Sequence, residues 1–414
     1  MARLAVYLHD EFVGYLWLDE KGRFVFQYDK NYINYPDAMP ISLYLPLREE
    51  PYIDDIAKPF FSNLLPEGEI RARISKIKHI SKQNDFKLLE AIGGECAGAV
   101  SILPQVAALG GKEGYLLLPD QEVEQLMEEN AVKPILIIKD ELRLSLAGAQ
   151  NKIPVYINNN KFYLPVGIAP SSHILKPQNL YFEDMVQNEY FCMLLAEAVG
   201  LPVPKSFIWK GEKHIAYIVE RYDRVKKKDG SFTRIHQEDL CQVLGCMPDQ
   251  KHETEGGPSL TDCLSLIQTY SINPVSDKQS LIKWVVFNCF IGNADAHGKN
   301  LSFIRTGGGG IRLAPFYDLI STKVYPELSS KMAMKIGMEN RFDWVVERHW
   351  LRLADQLDLK FVYLKQVIGE IAYTFEKVST KIADKLIDEF DGNKTVLKIC
   401  NILSDYIKHV RHFL

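Results

Sequence analysis

The sequence predicts an α+β fold in three successive parts. Residues 1–105 begin with short segments in which apolar and polar residues alternate, so we expect a small antiparallel-sheet subdomain followed by helices. Residues 106–240 mix strand-like and helix-like segments, which predicts an α/β lobe. Residues 241–414 carry apolar residues at helical spacing, which predicts a helical lobe.

Composition narrows the class of protein. The 414 residues are 47% hydrophobic and 25% charged, enough for more than one buried core. No stretch approaches about 18 uncharged apolar residues, and the first residues alternate like a strand, so we expect a cytoplasmic protein without membrane contact. A formal net charge of −4 lacks the positive field that stand-alone DNA binding requires. The seven cysteines fit a reducing compartment, and Cys241 and Cys246 lack the partners of a zinc site.

Individual elements of the first two parts follow from alternation and turn residues. We expect strands at 5–8, 12–18, 24–28, 152–156, 173–176 and 215–220, and a helix at about 182–199. The run from Lys226 to Lys228 precedes Asp229-Gly230 between two alternating segments. This favours a solvated hairpin tip over a nucleic-acid patch.

The third part is expected to be mainly helical. We expect helices at 344–357, 361–372, 378–390 and 396–410, and one strand pair at 301–305 and 311–316. A nearly all-apolar helix precedes that pair, and Ser276 with Gln279 has the spacing of a capping box at its start. Because its residues are apolar on all sides, this helix should be buried and rigid.

A polar stretch containing Asp295 and Asn300 follows the buried helix. A carboxylate followed five residues later by an asparagine is the spacing of a kinase catalytic loop. There the aspartate orients the attacking hydroxyl, and the asparagine offers an oxygen to Mg²⁺. Asp318, after the strand pair, is a second carboxylate that can reach the same metal. Taken singly, each of these residues is more simply a cap or a turn residue; their order on this scaffold favours phosphoryl transfer.

Phosphate binding also requires backbone amides and a cation. The stretch from Ser145 to Lys152 places small residues before a strand, where amides can approach phosphates; taken alone, it is more simply an ordinary turn. Lys176 ends an apolar strand, where an amine needs an anionic partner. ATP phosphates and Glu189 are the candidates, and a lysine emerging at the strand edge is the alternative.

The end of the strand at 215–220 is a candidate hinge between two lobes. Hinge groups can hydrogen-bond an adenine edge, so Glu220 and Tyr222 are candidate purine contacts. A buried strand end with surface charges is the alternative. His297 either touches phosphate or holds its loop through a backbone bond, and both interpretations stay open.

An ordered series of motifs resembles the HipA family of toxin kinases, and it runs along the chain to about residue 340. The motifs are Ser62-Asn63-Leu64-Leu65-Pro66, Gly98-Ala99-Val100, Ala147-Gly148-Ala149-Gln150-x-Lys152, His173-Ile174-x-Lys176, Asn188-Glu189-Tyr190, Val219-Glu220-Arg221-Tyr222-Asp223-Arg224, Gln237-Glu238-Asp239, Gly256-Gly257-Pro258, Gly292-x-x-Asp295-x-His297-x-Lys299-Asn300 and Pro315-Phe316-Tyr317-Asp318. No family motif aligns with the last seventy residues.

The resemblance implies a two-lobed kinase-like fold with a mixed α/β N-terminal part and an all-helical C-terminal lobe. It implies a Ser/Thr protein kinase that uses ATP and Mg²⁺ and acts as the toxin of a toxin–antitoxin pair. The implied substrate is an aminoacyl-tRNA synthetase, above all the glutamyl enzyme, so that translation stops and dormancy follows. The implied partner is a HipB-like helix-turn-helix antitoxin, through which the protein would meet DNA only indirectly.

The resemblance also implies site residues. Asp295 matches the family's proton acceptor, Asn300 and Asp318 match its metal-facing positions, and Ser145 matches the serine that is autophosphorylated as an off-switch. Positions that match nucleotide contacts are Ala147, Gly148, Ala149, Gln150, Asn151, Lys152, Lys176, Glu220, Arg221, Tyr222, His297, Gly298, Lys299, Asn300, Tyr317 and Asp318. A phosphate on Ser145 would add about −1.5 to −2 charges beside the phosphate loop and repel ATP.

Two functions of other classes compete with this one. A catalytically weak co-repressor would help an antitoxin to hold operator DNA, but that function does not explain why Asp295, Asn300 and Asp318 are all present. A small-molecule kinase would use the same three residues on a different acceptor.

Overall fold

The computed structural model describes residues 2–104, 114–132, 150–179, 181–228, 231–306, 309–390 and 394–414. Some residues of the expected phosphate loop and switch lie outside the described residues: Ser145, Ala147, Gly148 and Ala149. The expected hairpin tip Asp229-Gly230 also lies outside them. Within the described ranges, no helix combines the length and hydropathy that crossing a membrane requires.

A five-stranded antiparallel sheet opens the fold, with spatial order β4-β3-β2-β1-β5. Its strands are β1 (Arg3–Leu8), β2 (Glu11–Leu18), β3 (Phe24–Tyr28), β4 (Tyr52–Ile53) and β5 (Val100–Pro104). The helices beside it are α1 (Lys30–Ile33), α2 (Ala57–Ser62), α3 (Gly68–Ile77) and α4 (Asp85–Ile92). The three strands expected near the start are confirmed, because alternation buries Leu4, Val6 and Leu8 on one face of β1.

A six-stranded antiparallel sheet follows, with order β10-β11-β9-β7-β8-β6. Its strands are β6 (Gly114–Leu118), β7 (Ile153–Asn158), β8 (Lys161–Val166), β9 (His173–Pro177), β10 (Ser206–Lys210) and β11 (Ile215–Glu220), and its helices are α5 (Asp120–Val132) and α6 (Met185–Ala198). Asn159 and Asn160 both have positive φ angles, which suits the tight turn between β7 and β8. The expected strands are confirmed. α6 begins three residues later than expected, after Asp184 with a left-handed φ of +55°.

Short strands surround the helical part. They are β12 (Arg224–Lys226), β13 (Phe232–Arg234), β14 (Gln237–Asp239), β15 (Ser302–Arg305), β16 (Ile311–Leu313), β17 (Lys331–Ile336) and β18 (Glu339–Arg341). The two strands expected on either side of the lysine run are confirmed as β12 and β13, which pair antiparallel. The expectation of one strand pair in the third part is wrong, because β17 and β18 form a second pair around Gly337, where φ is +52°.

Within the described residues, six α-helices complete the third part. They are α7 (Leu240–Leu244), α8 (Leu260–Tyr270), α9 (Pro274–Ile291), α10 (Glu347–Gln356), α11 (Phe361–Glu389) and α12 (Lys394–Arg411). The two helices expected at 361–372 and 378–390 are one, because no helix-breaking residue separates them and Phe375 continues the buried face. The expected start of α9 at Ser276 is also wrong. Asn273 caps this helix and Pro274 occupies its first turn, where a missing N–H costs nothing.

Two apolar cores meet at the six-stranded sheet. Ala216 and Ile218 on β11 belong to the core shared with the first sheet, whereas Tyr217 and Val219 belong to the core of the helical part. Successive strand residues face opposite sides of a sheet, so one strand serves both cores. The end of β11 therefore lies between the cores. The part boundaries at residues 105 and 240 stay predictions.

Candidate active site

A cavity of about 730 Å³ lies where the three parts of the chain meet. Its volume falls within the range of about 300–1,000 Å³ that small-molecule sites occupy. The expected site residues that line it are Gln150, Lys152, Lys176, Glu220, Arg221, Tyr222, Asp295, His297, Lys299, Asn300, Tyr317 and Asp318. The structure thus brings together residues that lie far apart in the sequence.

Asp295 is presented by a loop whose own neighbours fix it. α9 ends at Gly292, whose left-handed φ of +66° reverses the chain. The Asn293 side-chain oxygen accepts the Asp295 N–H at 3.0 Å. Asn300 Nδ2 and the His297 N–H both donate to the Asp295 carbonyl, each at 2.8 Å. With its backbone held on both sides, Asp295 keeps 57% of its side chain exposed in the cavity.

Two histidine rings flank the Asp295 carboxylate. His252 Nε2 lies 3.8 Å and His297 Nε2 lies 3.7 Å from the same oxygen, Oδ1. Desolvation acts to raise the pKa of Asp295, but His252, His297 and Lys251 outweigh it and lower this pKa below its ordinary value. Burial lowers the pKa of His297 to about 4, so this ring is neutral at neutral pH. Asp295 is therefore ionised and able to accept a hydrogen bond from a hydroxyl.

Asp318 belongs to a cluster of buried charges. Its carboxylate lies 3.0 Å from Lys152 Nζ and pairs with Lys176. Lys176 Nζ also donates to Glu189 at 2.5 Å, which confirms the partner expected from the sequence. Burial acts to raise the pKa of Asp318, but the two lysines hold it well below its ordinary value. Burial likewise acts against the charge of Lys176, but Asp318 and Glu189 raise the pKa of this lysine. Both groups of this ion pair therefore stay charged.

Two tyrosines form an aromatic wall of the cavity. The rings of Tyr222 and Tyr317 stack with centroids 5.7 Å apart and an interplanar angle of 26°. The Tyr222 hydroxyl donates to the Gln237 side-chain oxygen, and the Tyr317 hydroxyl donates to the Lys299 carbonyl at 2.7 Å. These bonds fix both rings. A flat apolar face beside the exposed end of β11 at Glu220 suits a purine ring.

Arg221 holds a buried ion-pair network next to this wall. Its side chain is 2% exposed, and its guanidinium group lies 3.0 Å from Glu95 and 2.8 Å from Asp223. Arg224 pairs with the same Glu95 carboxylate at 2.8 Å. The network joins the first part of the chain to the end of β11. The Arg221 side chain is thus bound within this network and does not present its charge to a phosphate.

The Lys299 ammonium group is likewise bound to protein groups. Nζ donates to the Asn63 side-chain oxygen at 2.7 Å and lies 3.2 Å from the Asp239 carboxylate. Two further expected contacts, Asn151 and Gly298, are not among the residues that line the cavity. Gly298 instead packs against Pro258, because a Cβ atom there would lie 2.9 Å from the proline ring.

Asn63, Glu67 and His252 are among the cavity residues that sequence reasoning did not propose for the site. Two motifs gave a signal for them. Asn63 lies within the motif from Ser62 to Pro66, and Glu67 follows it directly. The Gly256-Gly257-Pro258 motif closes the loop that carries His252. A Cβ atom on Gly257 would lie 1.9 Å from a backbone carbonyl, so only glycine permits this turn.

The donor set fits a nucleotide with a divalent cation. Asn300 donates through Nδ2 to the Asp295 carbonyl, which directs its amide oxygen to other partners. An amide oxygen and the Asp318 carboxylate are ligands that Mg²⁺ prefers. Lys152 and Lys176 supply positive charge beside them. His297 also lines the cavity, and its Nδ1 atom is buried without a hydrogen-bond partner, so it can still bond with a ligand.

Comparison with known proteins identifies the family. The family model for the HipA N-terminal domain matches residues 4–103, and the model for the HipA-like C-terminal domain matches residues 144–380. The "Serine/threonine-protein kinase toxin HipA" of Shewanella oneidensis is 32% identical over 81% of this chain and 79% of its own length. The "Putative kinase Y4mE" of Sinorhizobium fredii is 40% identical over 99% of this chain and 98% of its own length.

A solved structure agrees with the sequence comparisons. The complex of Shewanella oneidensis HipA with HipB and its operator DNA contains a chain that superposes with a TM-score of 0.85 at 29% identity. The match covers 99% of this chain and 98% of that one. The fold class expected from the sequence is confirmed. By sequence and by structure, the chain belongs to the HipA family.

Proposed function

We propose that this chain is an ATP-dependent Ser/Thr protein kinase and the toxin of a toxin–antitoxin pair. The observation that carries the proposal is that Asp295, Asn300, Asp318 and Lys176 converge on one cavity. Phosphoryl transfer needs this set, because charge spread over phosphate oxygens has to be positioned and neutralised. The name of the Shewanella oneidensis relative supports the same reaction.

Asp295 is the proposed catalytic residue. Its carboxylate would orient the acceptor serine or threonine hydroxyl and take its proton as the oxygen attacks the terminal phosphorus. Because neighbouring positive charge lowers the pKa of Asp295, this carboxylate is a weak base. Orientation of the hydroxyl is therefore its larger contribution.

Asn300 and Asp318 are the proposed holders of Mg²⁺. When bound, Mg²⁺ supplies positive charge that neutralises the phosphate oxygens. Lys152 and Lys176 lie against Asp318 and would exchange this carboxylate for phosphate oxygens when a nucleotide enters.

Nucleotide contacts are proposed at the aromatic wall and at the phosphate loop. Tyr222 and Tyr317 would pack on the purine, and the Glu220 end of β11 would hydrogen-bond its edge. Backbone amides of residues 147–151 would meet the phosphates, with His297 beside them. For Arg221, Gly298 and Lys299 we propose indirect roles, since their side chains or surroundings are engaged within the protein.

The proposed acceptor is a protein serine or threonine on an aminoacyl-tRNA synthetase, with the glutamyl enzyme as the first candidate. The proposed partner is a HipB-like helix-turn-helix antitoxin, because the matching solved structure is a complex with HipB and operator DNA. Autophosphorylation of Ser145 is the proposed off-switch, since added negative charge near the phosphate loop would repel ATP.

Incubating the purified protein with labelled ATP and cell lysate tests the reaction. Wild-type protein should label a protein band, which mass spectrometry then identifies, and Asp295→Asn should not. Nucleotide binding by Asp295→Asn should persist, because Lys176 and Asp318 are intact. Label in small molecules alone would support a small-molecule kinase. If neither protein nor small molecule is labelled while an antitoxin still binds, the protein acts as a co-repressor.

A further inference from the structure

His252 lies on a loop that is fastened on two sides. The Gly298 N–H donates to the Lys251 carbonyl at 3.1 Å, which ties the loop to the segment that carries Asp295. The Lys335 N–H donates to the Glu253 carboxylate at 2.7 Å, which ties it to β17. The position of His252 relative to Asp295 is therefore set by hydrogen bonds of its two chain neighbours, Lys251 and Glu253.

Both nitrogens of the His252 ring face carboxylates. Nδ1 lies 2.8 Å from Glu255 Oε2, and Nε2 lies 3.8 Å from Asp295 Oδ1. An imidazole between two carboxylates is stabilised in its doubly protonated, positive form. The pKa of His252 is raised, first by Asp295 and then by Glu255, against partial burial. The other ionisable groups around this site are Lys251, Glu67, which pairs with Lys251 at 3.0 Å, and His297, which is neutral because of its burial.

We propose that His252 is a positioning residue that holds the Asp295 carboxylate through Oδ1 and leaves the other carboxylate oxygen to the acceptor hydroxyl. The proposal deepens the kinase function and rests on it. Glu255 sets the ring orientation by accepting a hydrogen bond from Nδ1–H, so that Nε2 points to Asp295.

The arrangement makes the position of Asp295 dependent on pH. A positive His252 attracts Oδ1. In the neutral ring the proton stays on Nδ1, where Glu255 accepts its hydrogen bond, so Nε2 turns a lone pair toward the Asp295 carboxylate and repels it. The protonated fraction falls as pH rises through the pKa of His252. The rate of phosphoryl transfer should therefore fall on the alkaline side of this pKa.

Histidine NMR of the isotope-labelled full chain tests the contact without any need for activity. The His252 signal, assigned with His252→Asn, should titrate above the ordinary value of about 6.5. Its midpoint should fall in both Asp295→Asn and Glu255→Gln. A midpoint at or below about 6.5, or one that neither substitution moves, overturns the proposal.

Kinetics against pH test the consequence. At pH values below the pKa of His252, His252→Asn should lower kcat/KM about tenfold. The rate of this variant should also lack the decrease that wild type shows as pH rises above that pKa. His214→Asn is the matched control, because His214 also faces a glutamate, Glu128 at 3.0 Å, but does not line the cavity. It should keep the wild-type profile.

The outcomes separate the two proposals. If wild-type protein transfers no phosphate to any acceptor, the kinase function fails, and the NMR titration still decides whether His252 holds Asp295. If phosphate is transferred and His252→Asn keeps both the wild-type rate and its alkaline fall, the positioning role is refuted.

Discussion

Replacing Lys176 with methionine tests the buried charges around Asp318. Methionine fills much of the volume of the lysine stem but removes the ammonium group. Glu189, whose side chain is 3% exposed, then loses its counter-ion. Removing one partner of a buried ion pair costs about 3–5 kcal/mol in free energy of unfolding.

The loss in stability should depend on pH. Burial already raises the pKa of Glu189 despite the adjacent Lys176, so without that lysine the folded protein should keep Glu189 protonated. Holding that proton costs about 1.4 kcal/mol for each pH unit above the unfolded-state pKa of about 4.3. A carboxylate with a raised folded-state pKa destabilises the fold above its unfolded-state pKa, and the loss disappears as pH falls toward that value. The deficit should thus be about 4 kcal/mol near pH 7.5 and about 1 kcal/mol near pH 5.

Urea unfolding followed by circular dichroism, at pH 7.5 and at pH 5, measures the two deficits in free energy of unfolding. Adding Glu189→Gln to Lys176→Met should remove the pH dependence between pH 5 and pH 7.5, because the remaining carboxylate, Asp318, still pairs with Lys152 and stays ionised in this range. Lys323→Met is the control, since Lys323 pairs with Asp343 on the surface and its loss should cost less than about 1 kcal/mol. A Lys176→Met deficit that is equal at both pH values would refute the reasoning, because Glu189 would then not be the group that bears the cost.

Three further predictions concern the aromatic wall, the switch and the second hairpin. Tyr222→Ala should weaken nucleotide binding about tenfold by calorimetry, whereas Tyr222→Phe should change it little; equal losses would assign the effect to the hydroxyl bond with Gln237. Ser145→Asp should abolish nucleotide binding and Ser145→Ala should not, and undiminished affinity in the aspartate variant contradicts the switch. Gly337→Ala should cost about 2 kcal/mol or more, because φ is +52° and a Cβ atom would lie 2.0 Å from the His349 carbonyl. Gly369→Ala is the control, because a Cβ atom added there, inside α11, meets nothing within 4 Å; this variant should be more stable by about 0.5–1 kcal/mol. A similar loss of melting temperature in both variants would refute the steric argument.

Local patterns predicted much of the fold. Alternating residues located β1 to β3 and β11, because burial of one sheet face demands that period. The apolar helix α9 was expected to be buried, and Trp284, Phe287 and Phe290 in it are buried. The pairing of Lys176 with Glu189 followed from the cost of an unpaired amine in an apolar strand.

Other elements lay beyond local patterns. The division of α11 into two helices was wrong because a weak interruption in apolar spacing does not break a helix that packs along its length. The β17–β18 pair was missed because its register is irregular and β18 has only three residues. The nucleotide contact expected for Lys299 stays a prediction. Lys299 lines the cavity, but its motif did not reveal that Asn63 and Asp239 surround its ammonium group.

Short-range patterns were enough to predict the elements and the chemistry available at them: alternating strands, a buried helix, and Asp295 five residues before Asn300. These depend on neighbours within a few residues, which sterics and burial govern directly. Which charges neutralise each other could be read only from the folded chain. Lys299 bonds with a residue 236 positions away, and His252 faces Asp295 across two loops. Such pairings depend on how the cores bring distant segments together, and the free energy that selects them belongs to the packed molecule as a whole.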